Sequence, residues 1–367
     1  MDKISVKLAQ HPHDILVGYD VLGTFGNSLK RLNIGQSPYI ITSTKIGRLY
    51  LDTLIRSLKS AGFHEVGAYV MPDGEKHKNL VQSHKILAKI AEFDNSQNKK
   101  LFIINLGGGV VGDLGGFVAA TYHRGTPYVQ VPTTLLAFVD CGVGGKVGVN
   151  LGKFKNCVGA FWHPKLVFAD LSLLKTLSKR QFKSGLAEVI KYGISIDPDL
   201  LYYIEKNYMN ILNLEKEYLF HISKTCYRIK VEIVEKDDTD TKDIRIVLNY
   251  GHTIGHAVES ASKYSFTHGE SVSIGMVCAN DIAVKLGLLS KEDAERAEAI
   301  LTKMNLPMHI KNCRIQDILE SMRNDKKFVH GKNRFVLLQK IGKTVIREDI
   351  PVEIIQKVLK DRMAANL

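Results

Sequence analysis

Three groups of residues in this sequence could do chemistry. In Asn249-Tyr250-Gly251-His252-Thr253-Ile254-Gly255-His256 two histidines stand four apart in a segment of helical period, so their imidazoles share a face. Thr267-His268-Gly269-Glu270 follows, and upstream Gly185-Leu186-Ala187-Glu188-Val189-Ile190-Lys191 places a carboxylate and an ammonium one helical turn apart among apolar residues. Neutral imidazoles with a carboxylate suit a divalent metal, zinc foremost, and three protein ligands leave a coordination position for substrate. Spacing alone leaves open which histidines would bind. It also allows His252 and His256 to be hydrogen-bonded structure, with Glu188 simply paired to Lys191.

The second group is Gly107-Gly108-Gly109-Val110-Val111-Gly112-Asp113-Leu114-Gly115-Gly116, after a β-rich run and before a helical one, which fits G-x-G-x-x-G. Glycine permits close backbone approach, and free N–H groups at a helix start favour a pyrophosphate, so the expected ligand is a dinucleotide. The ribose-binding acid expected about 20 residues on is absent, because Val129-Gln130-Val131 occupies that region. A tight packing turn is the competing explanation. The third group is Pro72-Asp73-Gly74-Glu75, a second loop expected at the same sheet edge.

The elements that must position these groups fall into two halves. Tyr39–Thr42, Val66–Val70, Leu101–Leu106 and Tyr128–Val131 read as strands, separated by helical stretches at Ser43–Ala61 and His77–Phe93. That alternation predicts a largely parallel sheet covered on both faces, an α/β Rossmann-like nucleotide-binding domain over residues 1–170. From 171 to 367 helical periods dominate, at Phe182–Ile194, Asp197–Tyr208, Leu219–Val234 and Ile246–Ser262. This predicts a mainly helical metal- and substrate-binding domain. Arg334–Leu338 and Lys343–Arg347 suggest a late hairpin, and Pro351 a helix start. A chain of 367 residues exceeds what one core usually supports, in keeping with two domains and a cleft.

Composition narrows the function classes. Five cysteines without a C-x-x-C pair indicate reduced, mostly buried thiols, and the absence of a signal-peptide core or long apolar run points to a cytoplasmic protein without membrane partners. The net charge of +12 suits any anionic partner, but the lysines are scattered, with no basic tail or basic-aromatic strip. That argues against nucleic acid.

At these residues the sequence resembles the 3-dehydroquinate synthases of the sugar phosphate cyclase superfamily. The motifs carrying the resemblance run in order along nearly the whole chain. They are Pro72 to Glu75, Gly107 to Gly125 ending Thr121-Tyr122-His123-Arg124-Gly125, Gln130 to Ala137, Val143-Gly144-Gly145-Lys146, Ala187 to Lys191, Leu248 to His256, and His268-Gly269-Glu270. Carried over residue by residue, the resemblance implies metal ligands Glu188, His252 and His268 for zinc or cobalt, with His256 on the substrate side. It implies NAD held by Glu75, Lys78, Gly107, Gly108, Gly109, Asp113, Thr133 and Thr134, with Asp140, Lys146 and Lys155 adjoining. Substrate contacts and catalytic groups by the same mapping are Asp140, Lys146, Lys155, Asn156, Lys191, Lys230, Arg245, Asn249, His256 and Lys327. Arg124 is expected to reach the phosphate across the interface of a homodimer.

The implied substrate is 3-deoxy-D-arabino-heptulosonate 7-phosphate, whose carboxylate and phosphate suit this many cations. The implied reaction is transient oxidation by NAD, phosphate elimination, reduction and aldol closure to 3-dehydroquinate. The chain departs from the family pattern at Cys141-Gly142, Val147-Gly148 and Thr42-Ser43, near the substrate floor and the adenosine position. Other sugar phosphate cyclases vary there too, although Asn249 and Arg245 match the dehydroquinate pattern. The competing readings are another such cyclase, a metal-dependent polyol dehydrogenase, which would release NADH, and a noncatalytic nucleic-acid binder.

Overall fold

The computed structural model describes residues 1–94, 100–152, 154–323, 328–329 and 332–363. They divide into two compact units, Met1–Leu177 with Leu219–Thr239, and Ser178–Tyr218 with Asp240–Leu367.

The first unit is built on a seven-stranded sheet. Its elements are β1 (Asp2–Val6), β2 (His13–Gly18), α1 (Phe25–Leu32), β3 (Ser37–Ser43), α2 (Thr44–Ser60), β4 (Gly67–Met71), α3 (Leu80–Asp94), β5 (Leu101–Gly107), α4 (Gly109–Thr121), β6 (Tyr128–Pro132), the hairpin β7 (Lys146–Leu151) and β8 (Phe154–Phe161), and β9 (Leu166–Asp170). The strand order is β1-β2-β9-β6-β5-β3-β4, and every pairing is parallel except β1 with β2. All seven residues of β5 are buried, as a central parallel strand requires. Phe102, Ile104 and Leu106 pack on one face with Leu54 and Leu58 of α2, while Leu101 and Ile103 face Leu114 and Val118 of α4. The alternating strand thus serves two cores.

The four predicted strands and the helices between them appear near their expected places, whereas α1, the β7–β8 hairpin and β9 were not anticipated. The helix expected from His77 begins at Leu80, because Lys78 takes a non-helical ψ of 75° after the short 3-10 turn Glu75–His77. The N-terminal hairpin was not anticipated either, although Ile4 and Val6 alternate with the polar Lys3 and Ser5, and the buried Ile15 and Val17 flank the half-buried Leu16.

The second unit is helical: α5 (Lys179–Ser195), α6 (Pro198–Leu212), α8 (His252–Ala261), α9 (His268–Lys285), α10 (Lys291–Lys303), α11 (Ile315–Arg323) and α12 (Val352–Asp361), with α7 (Lys216–Lys236) belonging from Leu219 onward to the first unit. Short strands β10 (Phe328–Val329) and β11 (Lys332–Asn333) precede the expected hairpin, observed as β12 (Phe335–Lys340) and β13 (Lys343–Arg347). Pro351 is the N-cap of α12 rather than its first turn. The buried helix α9 is the centre of this unit and contacts α5, α8, α10, α12 and β12.

The helix expected over Ile246–Ser262 is broken. Arg245–Asn249 is a 3-10 turn, Gly251 adopts φ +77°, and α8 starts at His252. A Cβ at Gly251 would stand 2.6 Å from Met276 Cγ, so both the positive φ and the tight approach of α9 demand glycine. Of the cysteines, Cys226 and Cys278 are buried thiols, whereas Cys157 and Cys313 are only half-buried. No helix among the described residues is long and apolar enough to cross a membrane.

Candidate active site

In the second unit the histidines converge because two helices start close together. Gly275 of α9 lies against the Gly251 carbonyl, where a Cβ would stand 1.9 Å from the oxygen, so α8 and α9 pack in backbone contact. Thr267 caps α9 in a reciprocal capping box with Glu270, whose carboxylate also receives Arg180 at 2.8 and 2.7 Å. Gly269 donates to Ser184 Oγ at 3.0 Å, and a Cβ at 269 would fall 1.9 Å from the Ser184 carbonyl oxygen. The start of α9 is thereby pressed onto α5 one turn before Glu188. His252 and His268 are each the first residue of their helix.

The result is a cluster of four side chains. Ring nitrogens of His252, His256 and His268 all lie within 4.8 Å of one another. Glu188, fully buried, places Oε1 3.5 Å from His252 Nε2 and 3.6 Å from His268 Nε2, and neither contact is a close hydrogen bond. The opposite ring nitrogens are oriented from behind: His252 Nδ1 is 3.1 Å from the Tyr250 carbonyl, and His268 Nδ1 is 3.5 Å from Glu259 Oε2. Backing of this kind, by a carbonyl and a carboxylate, is how metal-binding imidazoles are held with Nε2 inward. The donor set therefore fits a divalent ion.

Lys191 completes the cluster, 2.5 Å from Glu188 Oε2 and donating to the Leu248 carbonyl at 2.8 Å. Burial works to raise the Glu188 carboxyl, but Lys191 and His268 outweigh it and hold the group at about 2. For His268 burial works downward, and Glu188 with Glu259 overcome it, pushing the imidazole up to about 10. Arg245 is buried and Asn249 half-buried, both on the 3-10 turn leading to Gly251.

In the first unit the glycine loop joins β5 to α4. A Cβ on Gly107 would meet Val111 at 2.6 Å and one on Gly108 would meet Thr134 at 2.8 Å, so the loop needs glycine to pass this close to the first turn of α4 and to Thr134. Thr133 is buried, donates its backbone N–H to the Gly107 carbonyl, and has an Oγ1 without a hydrogen-bond partner. A glycine loop at a helix start beside an orphaned buried hydroxyl fits a pyrophosphate-bearing cofactor.

Lys78, buried, sits 3.0 Å from Asp113 Oδ2 and 3.2 Å from Glu75 Oε1. Burial works to lower its ammonium, and the two carboxylates reverse this and raise it. Asp140 and Lys230 form a second pair: Nζ lies 2.5 Å from Asp140 Oδ1 and also donates to the Asp140 carbonyl. Lys146 opens β7 and is exposed, Lys155 and Asn156 follow on β8, and Arg124 is exposed on a turn with φ +62°. Lys327 lies outside the described residues.

Residues 68–184 match the family model for the N-terminal region of 3-dehydroquinate synthase, and residues 185–328 match that for its C-terminal region. The 3-dehydroquinate synthase of Desulforamulus reducens is 43% identical over 352 residues, covering 95% of this chain and 97% of that protein. The enzyme of the same name from Thermodesulfovibrio yellowstonii is 42% identical, covering 98% of this chain and all of its own length at 100%. The chain belongs to the 3-dehydroquinate synthase family. Among solved structures, 2-deoxy-scyllo-inosose synthase complexed with carbaglucose-6-phosphate, NAD+ and Co2+ shares the fold at a TM-score of 0.89, with 24% identity and 99% and 100% of the two chains covered.

Membership in the 3-dehydroquinate synthase family sets aside the dehydrogenase and nucleic-acid readings, and the structure accounts for two departures from the family pattern. Thr42 is buried and donates to the Leu106 carbonyl at 2.8 Å, tying the end of β3 to that of β5. Val147 fills the space over Gly116 of α4, where a Cβ would meet it at 2.3 Å, so the hairpin bearing Lys146 rests on α4. Two further residues escaped the sequence reading. Asn150 donates to Glu75 Oε1 and accepts from the Asn156 backbone N–H, both at 2.9 Å. Glu259, seven residues after His252, continues the His252–His256 face, and that periodicity was the available signal.

Proposed function

We propose that this protein catalyses the reaction of its family, converting 3-deoxy-D-arabino-heptulosonate 7-phosphate to 3-dehydroquinate and phosphate. Family membership over nearly the full length carries this reading. Glu188, His252 and His268 would hold a divalent ion, zinc or cobalt, and the Gly107–Gly109 loop with Glu75, Lys78, Asp113, Thr133 and Thr134 would hold NAD. When bound, NAD takes up and returns a hydride, and the metal acts as a Lewis acid toward the substrate hydroxyls.

The protein's own groups have defined tasks. His256, one of the three clustered histidines but not among the proposed ligands, contacts the substrate and moves or binds its protons. Lys191 neutralises Glu188 and keeps the carboxylate ionised at any physiological pH. Lys230 fixes Asp140 through both its carbonyl and its carboxylate. Lys146, Lys155, Asn156, Arg245 and Asn249 bind the anionic ends of the substrate, as charge-assisted bonds to phosphate and carboxylate require. Catalysis is then largely positioning and preorganised electrostatics.

The structure of a sugar phosphate cyclase bound to carbaglucose-6-phosphate, NAD+ and Co2+ supports the cofactor assignment by shared fold. We further infer a cytoplasmic homodimer in which Arg124 reaches the partner's substrate, its exposure on a left-handed turn being what supports this role. The test is phosphate release by purified protein given metal, catalytic NAD and each sugar phosphate in turn. The heptulosonate should release phosphate without net NADH. Release from a different sugar phosphate alone would overturn the substrate assignment, and NADH accumulation the reaction.

A further inference from the structure

His163 is buried to 1% side-chain exposure at the end of the β7–β8 hairpin, and its Nε2 donates to Asp238 Oδ1 at 2.6 Å. It occupies the space a side chain at Gly145 would need: a Cβ there would stand 2.6, 2.7 and 2.8 Å from His163 Nε2, Cε1 and Cδ2. Gly144 and Gly145 have φ of +109° and +67°, and the Gly145 carbonyl accepts the Trp162 N–H at 2.7 Å. Lys146 is the next residue.

Asp238 lies two residues beyond α7, the helix whose Lys230 binds Asp140. The 140–146 segment is therefore held at Asp140 by Lys230 of α7 and at Gly145 by His163, which is itself bound to Asp238 just after that helix. The two glycines impose little by their own sterics, so the direction in which Lys146 leaves the turn is set by the backbone pairing of Gly145 and Lys146 with Phe161 and Trp162 together with the packing of His163 on Gly145. His11 and His13 pack around His163 at ring-centroid distances of 5.6 and 5.8 Å, closing the space into which the imidazole could swing.

We infer that His163, held by Asp238, is a positioning residue that aims Lys146 by fixing the Gly144–Gly145 turn. The inference rests on the reading of Lys146 as a group that binds substrate. Misplacement of such a group by about 1 Å costs on the order of 100-fold in rate, so His163→Ala should lower kcat by roughly 10- to 100-fold. NAD affinity, followed by fluorescence, should stay within about twofold, because nothing in the Glu75, Lys78 and Asp113 cluster changes. His163→Gln, whose amide can still donate to Asp238, should restore most of the rate.

The deciding measurement is a double-mutant cycle with Lys146→Ala. If His163 acts through Lys146, the double variant is no slower than Lys146→Ala alone; a multiplicative loss would overturn the inference. So would a His163→Ala enzyme with unchanged kcat beside an impaired Lys146→Ala. A fully active Lys146→Ala would instead overturn the Lys146 reading, and this inference with it. Should His163→Ala fail to fold, Asp238→Ala breaks the same contact from its more exposed side and must give the same loss and the same non-additivity.

Discussion

Replacing Lys191 with methionine tests whether Glu188 is a metal ligand. Lys191 and Glu188 are 1% and 0% exposed, so removing the ammonium strands a buried carboxylate. Breaking such a pair costs ~3–5 kcal/mol. The low end, about 3 kcal/mol, applies to the metal-free protein because His268 Nε2 stands 3.6 Å from the same carboxylate and takes part of the charge. With a divalent ion on Glu188 the carboxylate keeps a cationic partner, and the remaining loss is the hydrogen bond to Leu248, about 1 kcal/mol. The difference, about 2 kcal/mol, must reappear as tighter metal binding, since the two equilibria are linked. At 1.4 kcal/mol per tenfold this is on the order of 30-fold. Urea unfolding with chelator and with saturating zinc measures the first quantity, and competition against a chromophoric chelator the second. Equal destabilisation in both states, with unchanged zinc affinity, would refute Glu188 as a ligand and leave the three-histidine set of His252, His256 and His268.

Three other outcomes follow from particular contacts. Gly108→Ala places a methyl 2.8 Å from Thr134 on the glycine loop and should weaken NAD binding by about tenfold, read by fluorescence titration, with zinc affinity unchanged. Gly269→Ala sets a methyl 1.9 Å from the Ser184 oxygen, forces α9 away from α5 and should lower zinc affinity by at least about tenfold through the displaced His268, with NAD binding intact. His13, driven down from 6.5 to about 4 chiefly by burial, stays neutral in the fold while the unfolded chain takes up a proton. Its stabilising effect is therefore present above pH 6.5 and lost as pH falls toward 4; between pH 7 and 5 the loss is about 2 kcal/mol. His13→Leu should remove that part of the pH dependence of the urea midpoint.

The legible parts of the sequence were those where one local pattern decides the outcome. β3, β5 and β6 are apolar runs ended by turn residues, and a parallel sheet with helices between them admits few other solutions. The glycines of the loop were legible as a group but not in their separate tasks. Gly107 and Gly108 make room for Val111 and Thr134 at the start of the loop. Gly112 and Gly115 instead make room for a buried amide pair, since a Cβ at either would fall 2.2 Å from Gln130 Nε2 or 2.0 Å from Asn105 Oδ1. Gln130 stands in the stretch where the usual ribose-binding acid is missing, and its side chain is spent beneath α4. That tertiary contact has no trace in the spacing of the motif.

The histidine site shows the same division. The four-residue spacing of His252 and His256 was visible, yet the continuous helix expected around it was not formed, because Gly251 takes a left-handed conformation that lets α9 approach. The break has a chemical consequence. It frees the Tyr250 carbonyl from the helical ladder and leaves it 3.1 Å from His252 Nδ1, which turns Nε2 toward Glu188. A helix running unbroken from Ile246 would have used that carbonyl as its own acceptor. The glycine reads locally as a defect in a helical pattern, and in the folded protein it orients the imidazole.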